Sequence, residues 1–189
     1  MKYIPIFIAL ISHLIMGQNT QDGRPYSLDN NIFIESIEVE MPKLDIDQLL
    51  EEDYNSPPAT PFRYGYKFNV DFSLNNSGDW IELNNGDRIW KLSIHTKDAY
   101  AICLEYDQFY LPEGATFFVY NDEKDMISGA YTDDNNQPDM LFATPLIKGD
   151  IIHIEYYEPA NVYGEGIVNI DYVIHDYRDI LDFSNTRDS

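Results

Sequence analysis

Alternation of apolar and polar residues with a period of two dominates the chain from Phe62 onward. In the first segment of this kind the apolar positions are Tyr66, Phe68, Val70 and Phe72. Two further segments repeat it, with Trp90, Leu92 and Ile94 in one and Tyr100, Ile102, Leu104 and Tyr106 in the other. Such alternation is typical of antiparallel strands with one face in a core. Further strands are predicted at 115–120, 126–131, 139–143, 150–157 and 166–175.

Turn residues separate these segments at intervals of about ten residues, the spacing of short strands in all-β domains. Examples are the Asn85-Gly86 pair, which predicts a type I′ hairpin, and the segments 112–114, 135–138 and 148–150. No strand–helix–strand rhythm accompanies them. The sequence therefore predicts an all-β fold, an antiparallel, jelly-roll-like β-sandwich over residues 62–180.

Residues 18–61 form a polar lead-in to this domain. The stretch 18–31 is rich in Asn, Gln, Asp and Gly, and we expect it to hold no fixed structure. Apolar positions at 32, 34, 37 and 39 predict one strand, and the capping-box spacing from Asp45 to Gln48 predicts a short helix. Three prolines within residues 57–61 then predict a linker. Residues 181–189 are predicted to be a short acidic tail.

The first 17 residues have the order of a signal peptide. Lys2 is followed by an apolar run from Ile4 to Met16, which is too short to span a bilayer, and Gly17 is a small residue before Gln18. We expect cleavage after Gly17 and export, so the mature protein is predicted to be secreted or periplasmic.

Charge narrows the range of partners. The chain has 33 acidic and 12 basic side chains, and its formal net charge is -21. Because an acidic surface repels phosphate groups, neither nucleic acid nor an anionic membrane is expected as a partner. Cys103 is the only cysteine, so no intramolecular disulfide can form.

Five segments of the domain resemble the non-catalytic N-terminal region of secreted bacterial serine proteases of the lysyl endopeptidase type. They are the strand that opens at Trp90, the turn 111–115, the segment 144–149, the run 155–159 and the closing residues 175–178. The resemblance covers residues 40–180 and stops before any trypsin-like catalytic module. It implies a pro-region that accompanies the protease through export, assists its folding or inhibits it, and is removed on maturation. Arg187 is the last basic residue, where a self-cleaved junction would carry lysine.

The sequence contains no recognisable catalytic constellation. It has neither Gly-x-Ser-x-Gly nor the surroundings of a trypsin-like serine, so no catalytic residue and no cofactor are predicted. His95, His153 and His175 lie on three separate predicted strands, where hydrogen-bonded sheet residues are expected. Cys103, flanked by Ile102 and Leu104, is predicted to be an inert, partly buried thiol.

Calcium is the one metal for which the sequence offers candidate ligands. Asp133, Asp134 and Asp139, with the amides between them, offer hard oxygen ligands at alternating spacing. The glycine and the bidentate glutamate of an EF-hand are missing, so an acidic turn is the expected interpretation and no metal site is predicted.

An outward aromatic surface is the alternative to a protease accessory role. If Ile81 and Leu83 face the core, Trp80 and Glu82 face outward, and Tyr157 shares the outward phase of His153. These three residues, Trp80, Glu82 and Tyr157, are the predicted surface contacts. They suit either a serine protease module or a polysaccharide, the second making the chain a stand-alone carbohydrate- or protein-binding module.

Overall fold

The computed structural model describes residue 20, residues 23–34 and residues 36–185, with side chains as far as Asp182. The predicted signal peptide, its cleavage site at Gly17 and the end of the predicted acidic tail lie outside the described residues. Within them, no helix is long and apolar enough to cross a membrane.

The described chain forms eleven strands and three α-helices. The strands are β1 (Glu38–Glu40), β2 (Gly65–Ser73), β3 (Asp79–Glu82), β4 (Arg88–His95), β5 (Ala101–Tyr110), β6 (Thr116–Asn121), β7 (Ile127–Tyr131), β8 (Phe142–Ala143), β9 (Ile147–Lys148), β10 (Ile151–Glu158) and β11 (Ile167–Asp176). The helices are α1 (Tyr26–Asp29), α2 (Ile46–Tyr54) and α3 (Ile180–Asn185).

These strands form two sheets. Sheet A has the order β1-β4-β10-β6-β7, with β3 also paired to β4. Sheet B has the order β2-β11-β5-β8, with β9 also paired to β5. Every pair is antiparallel except β1 with β4, which is parallel.

The two sheets pack their apolar faces against each other. Trp90, Leu92 and Ile94 of sheet A are completely buried, as the alternation predicts. Across the interface the ring of Tyr106 in sheet B lies 5.9 Å from that of Phe117 in sheet A, edge to face. The all-β sandwich is therefore confirmed, and the jelly-roll connectivity stays a prediction.

The predicted short helix is confirmed as α2. The Asp45 side chain accepts a hydrogen bond of 3.1 Å from the Gln48 backbone N–H and so caps its first turn. Leu49 faces the domain and is buried, and the helix ends before the proline-rich segment.

The hairpin between β3 and β4 differs from the predicted type I′ turn. Gly86 donates its N–H to the Leu83 carbonyl at 2.9 Å and has φ of 87°, whereas Asn85 does not adopt positive φ. The Leu83 N–H donates a hydrogen bond of 2.7 Å to the Asp87 carbonyl, so Gly86 lies inside the closed turn. The glycine thus serves as an extra residue that closes the turn.

The expectation that residues 18–31 hold no fixed structure is wrong for residues 23–31. Residues 23–34 and 36–40, here called the N-terminal strap, lie along the outer face and the β4 edge of sheet A. Tyr26 stacks on Tyr157 with ring centroids 4.7 Å apart, and Leu28 packs on Phe118 and Tyr120. The strap is held by the sheet, so its own low apolar content did not reveal it.

Candidate functional site

A groove of about 520 Å³ opens between the C-terminal end of α2, the proline-rich segment and the end of β11. Its polar wall includes Asp53, Arg63 and Arg178, and Phe62 stands beside them. We call it the arginine groove. It is the place in the described chain where two guanidinium groups of this acidic protein meet.

Asp53 holds the groove together. Its Oδ1 accepts a hydrogen bond of 2.8 Å from Arg63 Nε, and its Oδ2 accepts bonds from Arg178 Nη2 and from the Tyr177 hydroxyl, the latter at 2.7 Å. Burial by itself raises the pKa of Asp53, but hydrogen bonds from Arg178 and Tyr177 outweigh it and hold that pKa below its ordinary value. The carboxylate therefore stays ionised and ties α2 to the end of β11.

Arg63 links the linker to the helix. Its Nη2 donates to the Leu49 carbonyl and to Glu52 Oε2, both at 3.2 Å. Both acceptors belong to α2, so the guanidinium bonds the helix through one backbone oxygen and one side-chain oxygen. The predicted linker is in this way fastened along α2.

Arg178 has donor capacity to spare. Within the described chain it donates from Nη2 to Asp53, and its Nε is buried without a hydrogen-bond partner. The Phe62 ring lies 5.1 Å from the guanidinium carbon and is 69% exposed. The groove thus combines an unsatisfied cationic donor with an exposed aromatic wall.

The end of β11 positions these groups. Asp176 is fully buried, and its two carboxylate oxygens accept the backbone N–H groups of Arg178 at 2.7 Å and Ile180 at 2.9 Å. This turn projects Arg178 into the groove and starts α3. Of residues 175–178, Arg178 lines the groove and Tyr177 donates to Asp53 beside it.

The predicted outward position of Trp80 is wrong. In the β3–β4 pair Trp80 lies opposite Trp90, and partners opposite each other share a face. Its ring packs edge to face on Tyr156 at 5.9 Å, and its Nε1 donates to the Leu74 carbonyl at 2.9 Å. Ile81, not Trp80, has the outward phase.

Glu82 and Tyr157 do not complete one surface with Trp80. Glu82 is exposed at the end of β3. Tyr157 lies on the outer face of sheet A, as predicted, but the Tyr26 ring covers it and its hydroxyl donates to Asp87. The predicted three-residue contact platform is not assembled.

His153 bonds Ser93 of β4 and Asp122, the residue that follows β6. His153 accepts or donates through Nδ1 to the Ser93 hydroxyl at 2.7 Å, and its Nε2 lies 3.0 Å from Asp122. This row of Ser, His and Asp went unnoticed in the sequence because the strand register alone brings the three together. Ser93 is buried in the middle of β4 and also bonds Ser36, so the row has the setting of a structural network, not of an exposed nucleophile.

Cys103 is buried, and burial raises the pKa of its thiol to about 11. The Sγ donates to the Thr144 carbonyl at 3.3 Å. The burial of the thiol agrees with the prediction, and its lack of reactivity stays a prediction.

The acidic segment of residues 133–139 is used for structure. Asn135 caps its short turn, with its side-chain oxygen accepting the Thr132 N–H at 2.9 Å. The Asn136 amide bonds both the N–H and the carbonyl of Leu111, each at 2.8 Å. Across the described residues no group of His, Cys, Asp or Glu side chains is arranged to hold a metal ion.

Comparison with protein-family models and with curated proteins finds no match to this chain.

Proposed function

We propose that this domain is the non-catalytic accessory, or pro-, domain of an exported serine protease of the lysyl endopeptidase type. Support comes from the five resembling segments and from the part that several of their residues have in the fold. Asn136 bonds Leu111 of the turn 111–115, Thr144 bonds the β5 backbone, and Glu155 anchors the strap. The role acts through surface contact, with folding assistance or inhibition as its result.

The observation that carries the proposal is the position of the arginine groove. Arg178 lines the groove and is the last residue of the five resembling segments, and α3 begins at Ile180. A protease module joined after α3 would follow the groove residue Arg178 after one short helix. The groove, with Phe62 and the 90% exposed Tyr54 at the end of α2, replaces Trp80 and Glu82 as the proposed contact surface.

Salt dependence is a consequence of this arrangement. The whole chain has a formal net charge of -21, so a basic protease surface would be attracted at long range. Exposed charges are screened beyond about 8–10 Å at physiological ionic strength. We expect association to weaken as salt rises.

The test is a titration of the domain against a lysyl-endopeptidase-type catalytic module at low and high salt. The proposal expects faster refolding of the module, or its inhibition, and a loss of that effect in Phe62→Ala. Tyr110→Ala is the matched control, because Tyr110 is an exposed aromatic residue paired with Ile167 at the other end of β11. No effect on refolding or activity at either salt concentration would overturn the proposal.

A stand-alone carbohydrate-binding module is the second candidate from the sequence. Its platform depended on an outward Trp80, which the inward ring removes. Retention of the domain on a polysaccharide, together with no effect on the protease, would restore that candidate.

A further inference from the structure

We propose that the arginine groove binds a carboxylate group carried next to an apolar side chain, as at the C-terminus of a peptide. The identification of the partner as a protease module rests on the proposed function, whereas the chemistry of the groove does not. Three observations support the inference: the balance of donors and acceptors, the unsatisfied Arg178 Nε and the apolar wall.

The donors of the two arginines exceed their acceptors. A guanidinium offers five N–H donors in a planar fork. Arg63 uses Nε and Nη2, and Arg178 uses Nη2, with Asp53 serving both side chains. Asp53 and Glu52 balance the charge of the two arginines, but together with the Leu49 carbonyl they occupy only part of the N–H donors. An incoming carboxylate can accept from the donors that remain.

The Nε of Arg178 indicates where the groove is incomplete. Buried polar atoms are almost always hydrogen-bonded, and one on a permanently charged group is costly when it is not. This Nε has no acceptor in the described chain. The Arg178 side chain is 25% exposed, so a rotation that turns the Nε edge of the guanidinium toward the groove would let a carboxylate accept two parallel bonds, the arrangement that arginine forms most favourably.

The apolar wall selects what accompanies the carboxylate. Pro57, Pro61 and Phe62 line the same groove, and Phe62 is 69% exposed. The groove volume of about 520 Å³ lies in the range of small-ligand sites, roughly 300–1,000 Å³. A terminal residue with an apolar side chain fits both features, since the ring and prolines cover its side chain and the arginines its carboxylate.

The experiment uses the full chain and three short acetylated peptides. Two of them end in leucine-phenylalanine, and the third carries an aspartate. The first has a free C-terminal carboxylate, the second is its C-terminal amide, and the third is an amide with the aspartate as its only carboxylate. Calorimetry gives the affinities, and NMR follows the Nε–H signal of Arg178. We expect the free acid to bind about tenfold or more tightly than its amide and to shift that signal. The aspartate peptide distinguishes a side-chain carboxylate from a C-terminal one.

Variants separate recognition from folding. Arg178→Lys retains the charge that Asp53 needs but loses the planar fork, so affinity should fall about tenfold while thermal unfolding changes little. Phe62→Ala, which removes the apolar wall and leaves every charged group of the groove in place, should also weaken binding, and Lys97→Gln on an exposed loop should not. Equal affinity for acid and amide, or unchanged binding in both groove variants, would overturn the inference.

The two proposals fail separately. Peptide acids that bind while no protease responds would retain the carboxylate site and remove the accessory role. A protease that responds to the domain while acid and amide peptides bind alike would do the reverse.

Discussion

Ser27 donates both its backbone N–H and its hydroxyl to the carboxylate of Glu155, 128 positions further along the chain. Glu155 is completely buried, and Lys91 Nζ lies 3.7 Å from its Oε2. Burial lowers the pKa of Lys91, and the charge of Glu155 opposes that shift. A buried carboxylate needs such charge-assisted bonds. The N-terminal strap is therefore held on sheet A by hydrogen bonds from Ser27 to the buried Glu155 carboxylate.

Ser27→Ala tests this bond. The change removes the hydroxyl donor and leaves the backbone bond, and a hydrogen bond to a charged group contributes about 1.5–3 kcal/mol. Opening of the strap should become about tenfold more frequent or more, which hydrogen exchange of residues 26–34 measures. Ser56→Ala, whose exposed hydroxyl bonds the Glu52 carbonyl on α2, is the control. Unchanged exchange in Ser27→Ala would mean that the backbone bond suffices.

The inward position of Trp80 changes the expected cost of its removal. Trp90→Ala removes a completely buried ring and should cost about 3–5 kcal/mol. Trp80→Ala removes a half-buried ring that packs on Tyr156 and supports Arg88, whose guanidinium carbon lies 3.7 Å from it, so about 2 kcal/mol is expected. The 90% exposed Tyr54 is the control, with Tyr54→Ala expected within about 0.5 kcal/mol of the parent. The midpoints of urea unfolding rank the three variants. Equal midpoints for Trp80→Ala and Tyr54→Ala would contradict the β3 register.

Strand phase could be predicted where the alternation is long. The four apolar positions of β2 face the core as the period of two predicts, because nine residues specify one phase. β3 has four residues, and its phase depends on the register that sets Trp80 opposite Trp90. No local pattern contains that register, and the prediction for Trp80 was wrong for this reason.

Neither the arginine groove nor the N-terminal strap could be predicted from the sequence, for a related reason. Asp53 and Tyr177 are 124 positions apart, and the partner of Ser27 lies at position 155. Each residue alone resembles an ordinary polar surface residue. Only the packing of α2 and of the strap on the sheets brings the charges together, whereas the helix itself was visible from its capping residue Asp45.

Asp171 is a site where neutralisation should stabilise the fold. It lies at the irregularity of β11 between Ile170 and Tyr172, and its Oδ1 is buried without a partner in the described chain. Burial, and then the charge of Asp107, raises its pKa. Because the folded state disfavours the ionised form, this group's contribution to stability is lost as pH rises above the ordinary aspartate range near about 4.

Asp171→Asn should therefore raise the urea midpoint near neutral pH, and the gain should shrink as pH falls toward about 4. Asp134→Asn, in the exposed loop of residues 133–139, controls for a general reduction of negative charge. A gain of the same size in the control would assign the effect to net charge instead of to the buried oxygen.

His175 should make stability depend on pH in a different range. The residue is completely buried; its Nδ1 lies 2.7 Å from the Thr96 hydroxyl, and its Nε2 has no partner in the described chain. Burial lowers its pKa, and the charges of Asp176 and Asp98 oppose that shift without reversing it. The folded state thus disfavours protonation, and the stability contributed by neutral His175 is lost as pH falls below the unfolded value of about 6.5.

The expected result is a fall in the free energy of unfolding between about pH 7 and pH 5.5 that His175→Gln reduces, because glutamine does not titrate and can still bond Thr96. Urea unfolding across this range measures it. The contribution of Asp53, whose pKa is lowered, is lost only at more acidic pH and does not overlap. His95→Gln, at the half-buried end of β4 near Glu38 and Asp150, should leave the fall in place. A slope that persists in His175→Gln and disappears in His95→Gln would assign the pH dependence to His95 at the end of β4 instead of to His175 in β11.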